Sequence, residues 1–200
     1  MRKLLSAMAL AALAAGCFDE PTPAYRTVPE GARVYLQDRG LSRFSVADSK
    51  LQVELVDYLN LDRNQLVDVG AVAQLVNLKW LRLNSNRLSQ LPDLSALVKL
   101  RRVYLKNNRF TEVPLALKDL PVLTDIELSG NAISEIPEWL AKKPNLAFLS
   151  FNRTQLHKLP DDLSAWKTLK ALQLGDTPIG SDKDEMARIR KALPDTAIVF

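Results

Sequence analysis

Residue types that usually carry enzyme chemistry are scarce in this chain. It has one histidine, His157, so no second histidine can complete a metal cluster, and a Ser/His/Asp triad would need a distant serine. The seven glycines form neither a phosphate loop nor a nucleophile elbow. Asp125 and Glu127 could act as the paired carboxylates of a hydrolase, although a solvated acidic patch is the commoner meaning of such spacing. We therefore predict no catalytic site, no metal site and no cofactor.

The only cysteine, Cys17, follows a basic start and an apolar run from Leu4 to Ala15. This run is too short to cross a bilayer, which needs about 20 residues, and it fits a secretory signal. The stretch LAAGC resembles a bacterial lipobox, although Ala14 stands where leucine is usual. The resemblance implies removal of residues 1–16 and a lipid on the thiol of Cys17. The alternative is a plain secretory signal that contains a cysteine. A lone cysteine excludes an intramolecular disulfide, and a lipidated one excludes a Cys/His nucleophile pair.

The charge balance argues against nucleic-acid binding. The chain has 27 basic and 23 acidic side chains, a formal charge of +4, and loss of Arg2 and Lys3 with the signal leaves 25 and 23, or +2. Such a small excess is no basis for binding a polyanion. Residues 17–30 hold three prolines and little periodicity, which predicts an extended tether from the lipidated cysteine.

From residue 31 onward the chain is periodic. One sequence pattern, seen most clearly as LKWLRLNSN from Leu78, recurs along the chain. Successive copies are 22, 22, 23, 23 and 23 residues apart, and they start at Val56, Leu78, Leu100, Leu123, Leu146 and Leu169. An earlier, degenerate unit surrounds Val34, so about seven units span residues 31–200. Each unit is too small to bury its own leucines, and neighbouring units must therefore stack.

The pattern L-x-x-L-x-L-x-x-N-x-L-x-x-L-P resembles that of leucine-rich repeat proteins, and with LAAGC the chain resembles a bacterial leucine-rich repeat lipoprotein. The resemblance implies an α/β repeat solenoid, an arc with a parallel concave β-sheet and short helical or irregular convex arcs. From about residue 181 the pattern changes. Asp182 can start a helix with Met186, Ile189 and Leu193 on one face, and a strand-like end follows, which predicts a helix–strand cap.

One polar position of each unit is predicted to be structural. An amide at this position can donate to and accept from the turns of adjacent coils. Threonine replaces asparagine in the last units, where we expect a looser ladder. The predicted ladder residues are Asn64, Asn86, Asn108, Asn131, Thr154 and Thr177.

Residues that alternate with the strand leucines should point to the open concave face. Rings with polar handles on a rigid sheet are typical anchors for a partner, and basic residues lie among them. The alternative is that aromatic residues favour strands and simply cover one another. The predicted partner-binding residues are Tyr35, Tyr58, Trp80, Arg82, Arg102, Tyr104, Lys106 and Phe148. Truncation of Trp80 should leave the melting temperature nearly unchanged, whereas Trp166 replaces an arc leucine and should be core.

These features predict a non-catalytic scaffold, anchored by lipid at a bacterial cell envelope, that binds another protein on its concave face. Glycan or cell-wall binding by the same aromatic residues is the alternative, and a hydrolase using Asp125 and Glu127 is a remote one. We expect a monomer that contacts membrane only through its lipid and binds no nucleic acid. If the host has two membranes, Phe18 after the cysteine favours the outer one, by the sorting rule of enteric lipoproteins.

Overall fold

Nine strands form a single open sheet whose spatial order is the chain order. The computed structural model describes residues 25–28, 31–46 and 52–200. Strands β2 to β9 run parallel, and β1 pairs antiparallel with β2. This confirms the predicted parallel sheet. The strands are β1 (Tyr25–Val28), β2 (Gly31–Tyr35), β3 (Val56–Asn60), β4 (Trp80–Arg82), β5 (Arg102–Tyr104), β6 (Asp125–Glu127), β7 (Phe148–Ser150), β8 (Ala171–Gln173) and β9 (Ala197–Val199).

In the described residues, the arcs that return from one strand to the next contain short helices, as predicted. Two are α-helices, α1 (Glu138–Ala141) and α2 (Lys183–Ala192). The others are single 3₁₀ turns, a geometry suited to the tight return of a small coil. They span Val53–Leu55, Gly70–Gln74, Leu115–Leu117, Ser164–Thr168 and Pro178–Ser181.

The core is one continuous column of apolar side chains between sheet and arcs. Because every coil repeats the same frame, equivalent residues pair across the strands: Leu59 with Leu81, Leu81 with Val103, and Val103 with Ile126. All four are fully buried. Burial of one such side chain contributes roughly 1.5–3 kcal/mol, so the pairing register is fixed by the core.

The structure corrects the predicted tether at one place. Residues 25–28 form β1, although the prediction assigned 17–30 to an extended tether. The strand pairs with β2 from Tyr25 opposite Val34 to Val28 opposite Gly31, and so bonds to backbone groups that the edge of β2 would otherwise leave open. The three prolines that suggested a tether all lie outside these four residues. Residues 1–24, including the predicted signal and Cys17, lie outside the described residues.

Asparagine side chains join successive coils at the predicted ladder position. Asn86 Nδ2 donates to Leu61 O of the preceding coil and to Leu83 O of its own coil, both at 3.0 Å. Its Oδ1 accepts from Leu66 N at 3.1 Å. One carboxamide thus pairs backbone groups of two coils that have no strand partner. The same pattern recurs at Asn64, Asn108 and Asn131.

The two threonines at this position bond within one coil. Thr154 Oγ1 donates to Phe151 O at 2.7 Å, and Thr177 Oγ1 donates to Leu174 O at 2.6 Å. A hydroxyl group has one proton and a shorter reach than a carboxamide. The ladder therefore bridges coils in the first part of the solenoid and becomes local in the last part.

A helix closes the C-terminal coil. Asp182 caps α2 by accepting from the N–H groups of residues 184 and 185. Buried Glu185 accepts from Leu159 N at 2.9 Å, and Arg188 donates to Leu159 O at 3.0 Å, so the pair completes the backbone bonding of the last arc. The Arg188 guanidinium group also lowers the pKa of Glu185 below its usual value. This cap agrees with the predicted helix start.

We predict that Asn108→Ala destabilises the protein more than Thr177→Ala. The first change leaves the buried N–H of Leu88 without its acceptor and removes donors to Leu83 O and Leu105 O, while the second removes one bond within a single coil. An unsatisfied buried group costs about 1–3 kcal/mol. Urea titration of both variants measures the difference, and equal, negligible losses would contradict the bridging role of the asparagine.

Candidate binding face

The strand register aligns the residues between the core positions into columns on the concave side of the sheet. Tyr58 pairs with Trp80, and Trp80 pairs with Arg102. Beside this first column, Arg82 pairs with Tyr104 in a second column. Residues that are 22 apart in sequence therefore become neighbours about 4.8 Å apart. The first and second columns of strands β2 to β9 together form one surface, which we call the concave face.

Four aromatic rings of the concave face form a continuous run, which we call the ring cluster: Tyr35, Tyr58, Trp80 and Tyr104. The centroids of Tyr35 and Tyr58 lie 5.2 Å apart with their planes inclined by 44°. Trp80 meets Tyr58 at 5.1 Å and Tyr104 at 5.7 Å, in both cases edge to face at 87°. These are favourable aromatic geometries, so each ring holds the next in position.

Three arginines cover faces of these rings. The guanidinium carbon of Arg102 lies 4.9 Å from the centroid of Trp80, and that of Arg82 lies 5.4 Å from the centroid of Tyr104. Arg33 lies 6.0 Å from the centroid of Tyr58. Arg33 is not among the residues that the sequence predicts to bind a partner. The signal that could have found it is its place beside Tyr58 in the first column.

A buried carboxylate fixes one of these arginines. Asp62 Oδ2 accepts from Arg82 Nε at 2.7 Å and lies 2.6 Å from Arg82 Nη2, while Asp62 Oδ1 accepts from Asn84 N at 2.8 Å. The side chain of Asp62 is 3% exposed, so the pair is shielded from solvent screening. Arg102 is held more loosely, with Nε 3.7 Å from Asp125 Oδ2 and 47% of its side chain exposed. Arg82 is thus fixed, and Arg102 remains accessible.

Packing also determines the state of the polar groups in the ring cluster. Burial raises the pKa of the Tyr58 and Tyr104 hydroxyl groups above the usual value, because the phenolate would lose solvation. Both hydroxyl groups are therefore protonated at neutral pH. Within the described part of the chain, Trp80 Nε1 is buried and has no hydrogen-bond partner, so the indole is positioned by its contacts with the neighbouring rings and with Arg102.

A third column, which lies two residues beyond the second along each coil, forms a ladder of its own. Asn84 Oδ1 accepts from Lys106 N at 2.9 Å, and Asn152 Oδ1 accepts from Gly175 N at 2.7 Å. Asp62 and Ser129 accept from the backbone of the next coil in the same way. Gln37 is the exception, since its Oε1 is buried without a partner among the described residues and Asp62 N donates to Asn60 Oδ1 instead. These side chains join one coil to the next because an open strand end leaves N–H groups that need acceptors.

Lys106 interrupts this ladder because an ammonium group accepts no hydrogen bond. The next N–H, that of Ser129, is instead satisfied at 2.8 Å by Glu127 Oε1 from its own strand. The side chain of Lys106 is half-buried. Its role as a partner-binding residue stays a prediction.

The C-terminal half of the concave face is different in character. Phe148 lies on β7, two strands beyond Tyr104, and the structure does not bring it into the ring cluster. Buried Ser150 contacts Ser129 Oγ at 2.7 Å and donates to Gln173 Oε1 at 3.0 Å. These polar groups bond to one another, so they offer a partner fewer free hydrogen-bonding groups than the arginines of the other half.

The carboxylates of the remote hydrolase hypothesis are held by their own neighbours. Asp125 accepts from Thr124 Oγ1 and faces Arg102, and Glu127 accepts from Ser129 N. His157 lies far away on an exposed arc position. Within residues 25–28, 31–46 and 52–200, no group of three or more His, Cys, Asp or Glu side chains is arranged to hold a metal ion.

The chain is similar to known proteins in its three-dimensional structure. No protein-family model matches the chain, and no curated protein matches its sequence. An internalin from Listeria monocytogenes matches 82% of this chain and 46% of its own, with 19% identity and a TM-score of 0.59. YopM from Yersinia enterocolitica matches 72% of this chain and 29% of its own, with 26% identity and a TM-score of 0.56. The fold is a leucine-rich repeat solenoid.

A third similar structure is a leucine-rich repeat protein from Leptospira interrogans, with 26% identity over 73% of this chain and 56% of that protein, and a TM-score of 0.41. This leucine-rich repeat chain therefore spans between 29% and 56% of the length of these three bacterial proteins. In the part that the structure describes, no helix has the length and apolar character needed to cross a membrane.

The leucine-rich repeat register separates the tryptophans into different environments. Trp166 is fully buried and its Nε1 donates to Leu140 O at 2.9 Å, whereas Trp80 is half-buried between tyrosines. Trp139 is half-buried on the convex side in α1. Because Trp80 packs against Tyr58 and Tyr104, we now expect its truncation to lower stability, in place of the expectation from sequence that stability stays nearly unchanged.

We predict that Trp80→Ala lowers the free energy of unfolding by about 2 kcal/mol, since it removes two edge-to-face contacts and one cation–π contact. Trp166→Ala should cost about 3–5 kcal/mol, the range for emptying a buried aromatic site. Urea titrations compare the two. A Trp80→Ala loss as large as that of Trp166→Ala would place Trp80 in the core and contradict the strand register.

Proposed function

We propose that this protein is a non-catalytic scaffold that binds another protein on its concave face. The observation that carries the proposal is the ring cluster with its three arginines, which places large contact area and hydrogen-bond donors on one rigid surface. Aromatic and arginine side chains dominate the energetics of many protein interfaces. Because neighbouring rings already fix one another, little side-chain entropy remains to be lost when a partner binds.

The size of the face limits how a partner can bind. Eight parallel strands about 4.8 Å apart give a length of roughly 34 Å, and the exposed width of each strand is about 10 Å, so the sheet offers some 340 Å². A standard interface takes about 800 Å² from each partner. A stable complex therefore also uses the turns at the edges of the sheet, and a partner confined to the sheet binds weakly.

Two features argue against the other candidate functions. Asp125 and Glu127 bond to their own neighbours, so neither is set up as a hydrolytic acid or base. Rings of the cluster are covered by arginines or by each other, which leaves little open face for a sugar to stack on. Protein binding is the function that this geometry supports best.

Lipid anchoring at a bacterial envelope is part of the proposal. The sequence LAAGC, with Phe18 after it, supports attachment through Cys17, with the outer membrane favoured where two membranes exist. Two acyl chains hold a protein stably where one barely does, because each buried methylene contributes about 0.8 kcal/mol. The scaffold acts as a monomer whose only contact with the membrane is this lipid.

A photo-crosslinking amino acid tests the binding face. Lys106 lies just after β5, beside the ring cluster, and p-benzoylphenylalanine at this position replaces no contact of the cluster. We expect crosslinks from this position to an envelope protein, lost on Tyr104→Ala. The same amino acid at Leu115, 68% exposed in an arc, is the matched control. If crosslinks form only from position 115, the partner binds the arcs and not the concave face. If the crosslinked material is glycan only, the cell-wall alternative is favoured.

Substitution of Cys17 tests the anchor. We expect Cys17→Ser to leave the protein unprocessed or to release it from the membrane fraction, because serine cannot carry the thioether-linked lipid. Mass spectrometry of the wild type should find acyl chains on the residue after removal of residues 1–16. Processing and membrane fractionation of the variant like those of the wild type would overturn the anchor.

A further inference from the structure

The arginines of the concave face are arranged to recognise carboxylate groups. Each of Arg33, Arg82 and Arg102 lies over a ring of the cluster. A guanidinium group stacked in this way keeps its N–H edge available, and that planar edge matches the two oxygens of a carboxylate. Stacking also restricts the long side chain before binding, which lowers the entropy lost on contact.

Donors remain available on this surface after the internal contacts are counted. Arg82 uses Nε and Nη2 on Asp62, but a guanidinium group has five N–H donors. Arg102 is 47% exposed in its side chain and only approaches Asp125, at 3.7 Å. Arg33 is exposed. The face can therefore accept further anionic oxygens without breaking the buried pair with Asp62.

Charge on the face is divided along the solenoid. Strands β2 to β5 carry Arg33, Arg82 and Arg102 on this face, and Lys106 lies just after β5. Of the two carboxylates in this half, Asp62 is buried against Arg82, and Asp57 of β3 pairs with Lys79 at 3.4 Å. Strands β6 to β8 carry acidic side chains and no basic ones, at Asp125 and Glu127. An acidic group is thus attracted to the same half of the sheet that holds the ring cluster.

Spacing of the exposed arginines suggests the form of the ligand. Arg33 and Arg102 occupy the first column on β2 and β5, three strands apart, which is about 14 Å at 4.8 Å per strand. An extended peptide rises about 3.3 Å per residue, so about four residues span this distance. A narrow, concave strip of sheet also suits an extended segment better than the convex surface of a folded domain.

We propose that the partner presents an extended acidic segment that crosses strands β2 to β5, with two carboxylates about four residues apart on Arg33 and Arg102. An apolar or aromatic residue between them lies on the ring cluster. This inference rests on the proposed function, since it names the chemistry of the partner for the same face.

Selection from a random library of displayed 12-residue peptides tests the inference. The full chain, purified in detergent, is the bait, and Trp80→Ala bait is used to discard peptides that do not depend on the concave face. We expect the retained peptides to be enriched in Asp and Glu, with pairs about four residues apart. A synthetic copy of the best peptide, with each Glu replaced by Gln, should bind at least about tenfold more weakly.

Matched variants of the protein provide the control. Arg33→Gln with Arg102→Gln should weaken binding of the synthetic peptide by about tenfold or more. Lys118→Gln with Lys167→Gln removes the same charge from exposed arc positions and should change affinity by less than about twofold. Circular dichroism and urea titration show whether each variant is folded.

The outcomes separate this inference from the proposed function. Face-dependent peptides that are neutral or basic, or that bind the arginine double variant normally, overturn the acidic segment and leave protein binding intact. If both double variants lose the same affinity for the peptide, the effect comes from net charge alone, and the acidic segment is overturned as well. Absence of any face-dependent peptide overturns the segment, and capture of cell-wall glycan by the same face would overturn protein binding as well.

Discussion

Hydrogen bonds between successive coils are the constraint on which the rest of the structure depends. Apolar burial drives the coils together, but it is non-directional and would tolerate small rotations of one coil on another. The carboxamides of Asn64, Asn86, Asn108 and Asn131 fix that rotation, because each needs backbone groups of two coils at about 3 Å. The second ladder, through Asn84 and its equivalents, fixes the strand ends in the same way.

A fixed register creates the binding surface. Tyr58 and Trp80 are 22 residues apart in sequence, yet the register sets them ring to ring at 5.1 Å. The same alignment places Arg102 over Trp80 and lets Asp62 reach Arg82. Side chains that would be mobile alone on a flat sheet are therefore held by neighbours from adjacent coils. The structural ladders and the concave face are consequences of one repeat.

The sequence predicted the solenoid, its register and the concave columns because one frame recurs in every coil. It did not predict the conformation of the turn after each strand. Asp38, Arg63, Ser85, Asn107, Arg153 and Asp176 all have φ between 53° and 58°. That region favours glycine, but only Gly130 carries it at this position, so no residue pattern marks the turn. At Gly130 a Cβ atom would lie 2.2 Å from Asn107 Oδ1, a contact between coils that sequence cannot reveal.

Contacts between coils also explain what the sequence could not reveal about the candidate site. Asn84 and Lys106 are both polar and outward-facing in the sequence pattern, but only an acceptor can bond to the next coil, so one is structural and the other interrupts the ladder. Strand β1 was missed because an isolated extended segment and an edge strand have the same local pattern. The ring cluster was identified residue by residue, while its mutual packing depends on distances that only the structure supplies.

The central claim is that the sheet presents arginines already held in place by the ring cluster. Nitrogen-15 relaxation of the arginine Nε–H groups in the unbound protein measures this directly. The account predicts an order parameter for Arg82 near the value of about 0.85 for rigid backbone, because Asp62 also holds its guanidinium group. Arg102, which is stacked on Trp80 but more exposed, should have an intermediate value, and the exposed turn residue Arg153 a value below about 0.6. Low order parameters at all three arginines would contradict a preformed surface.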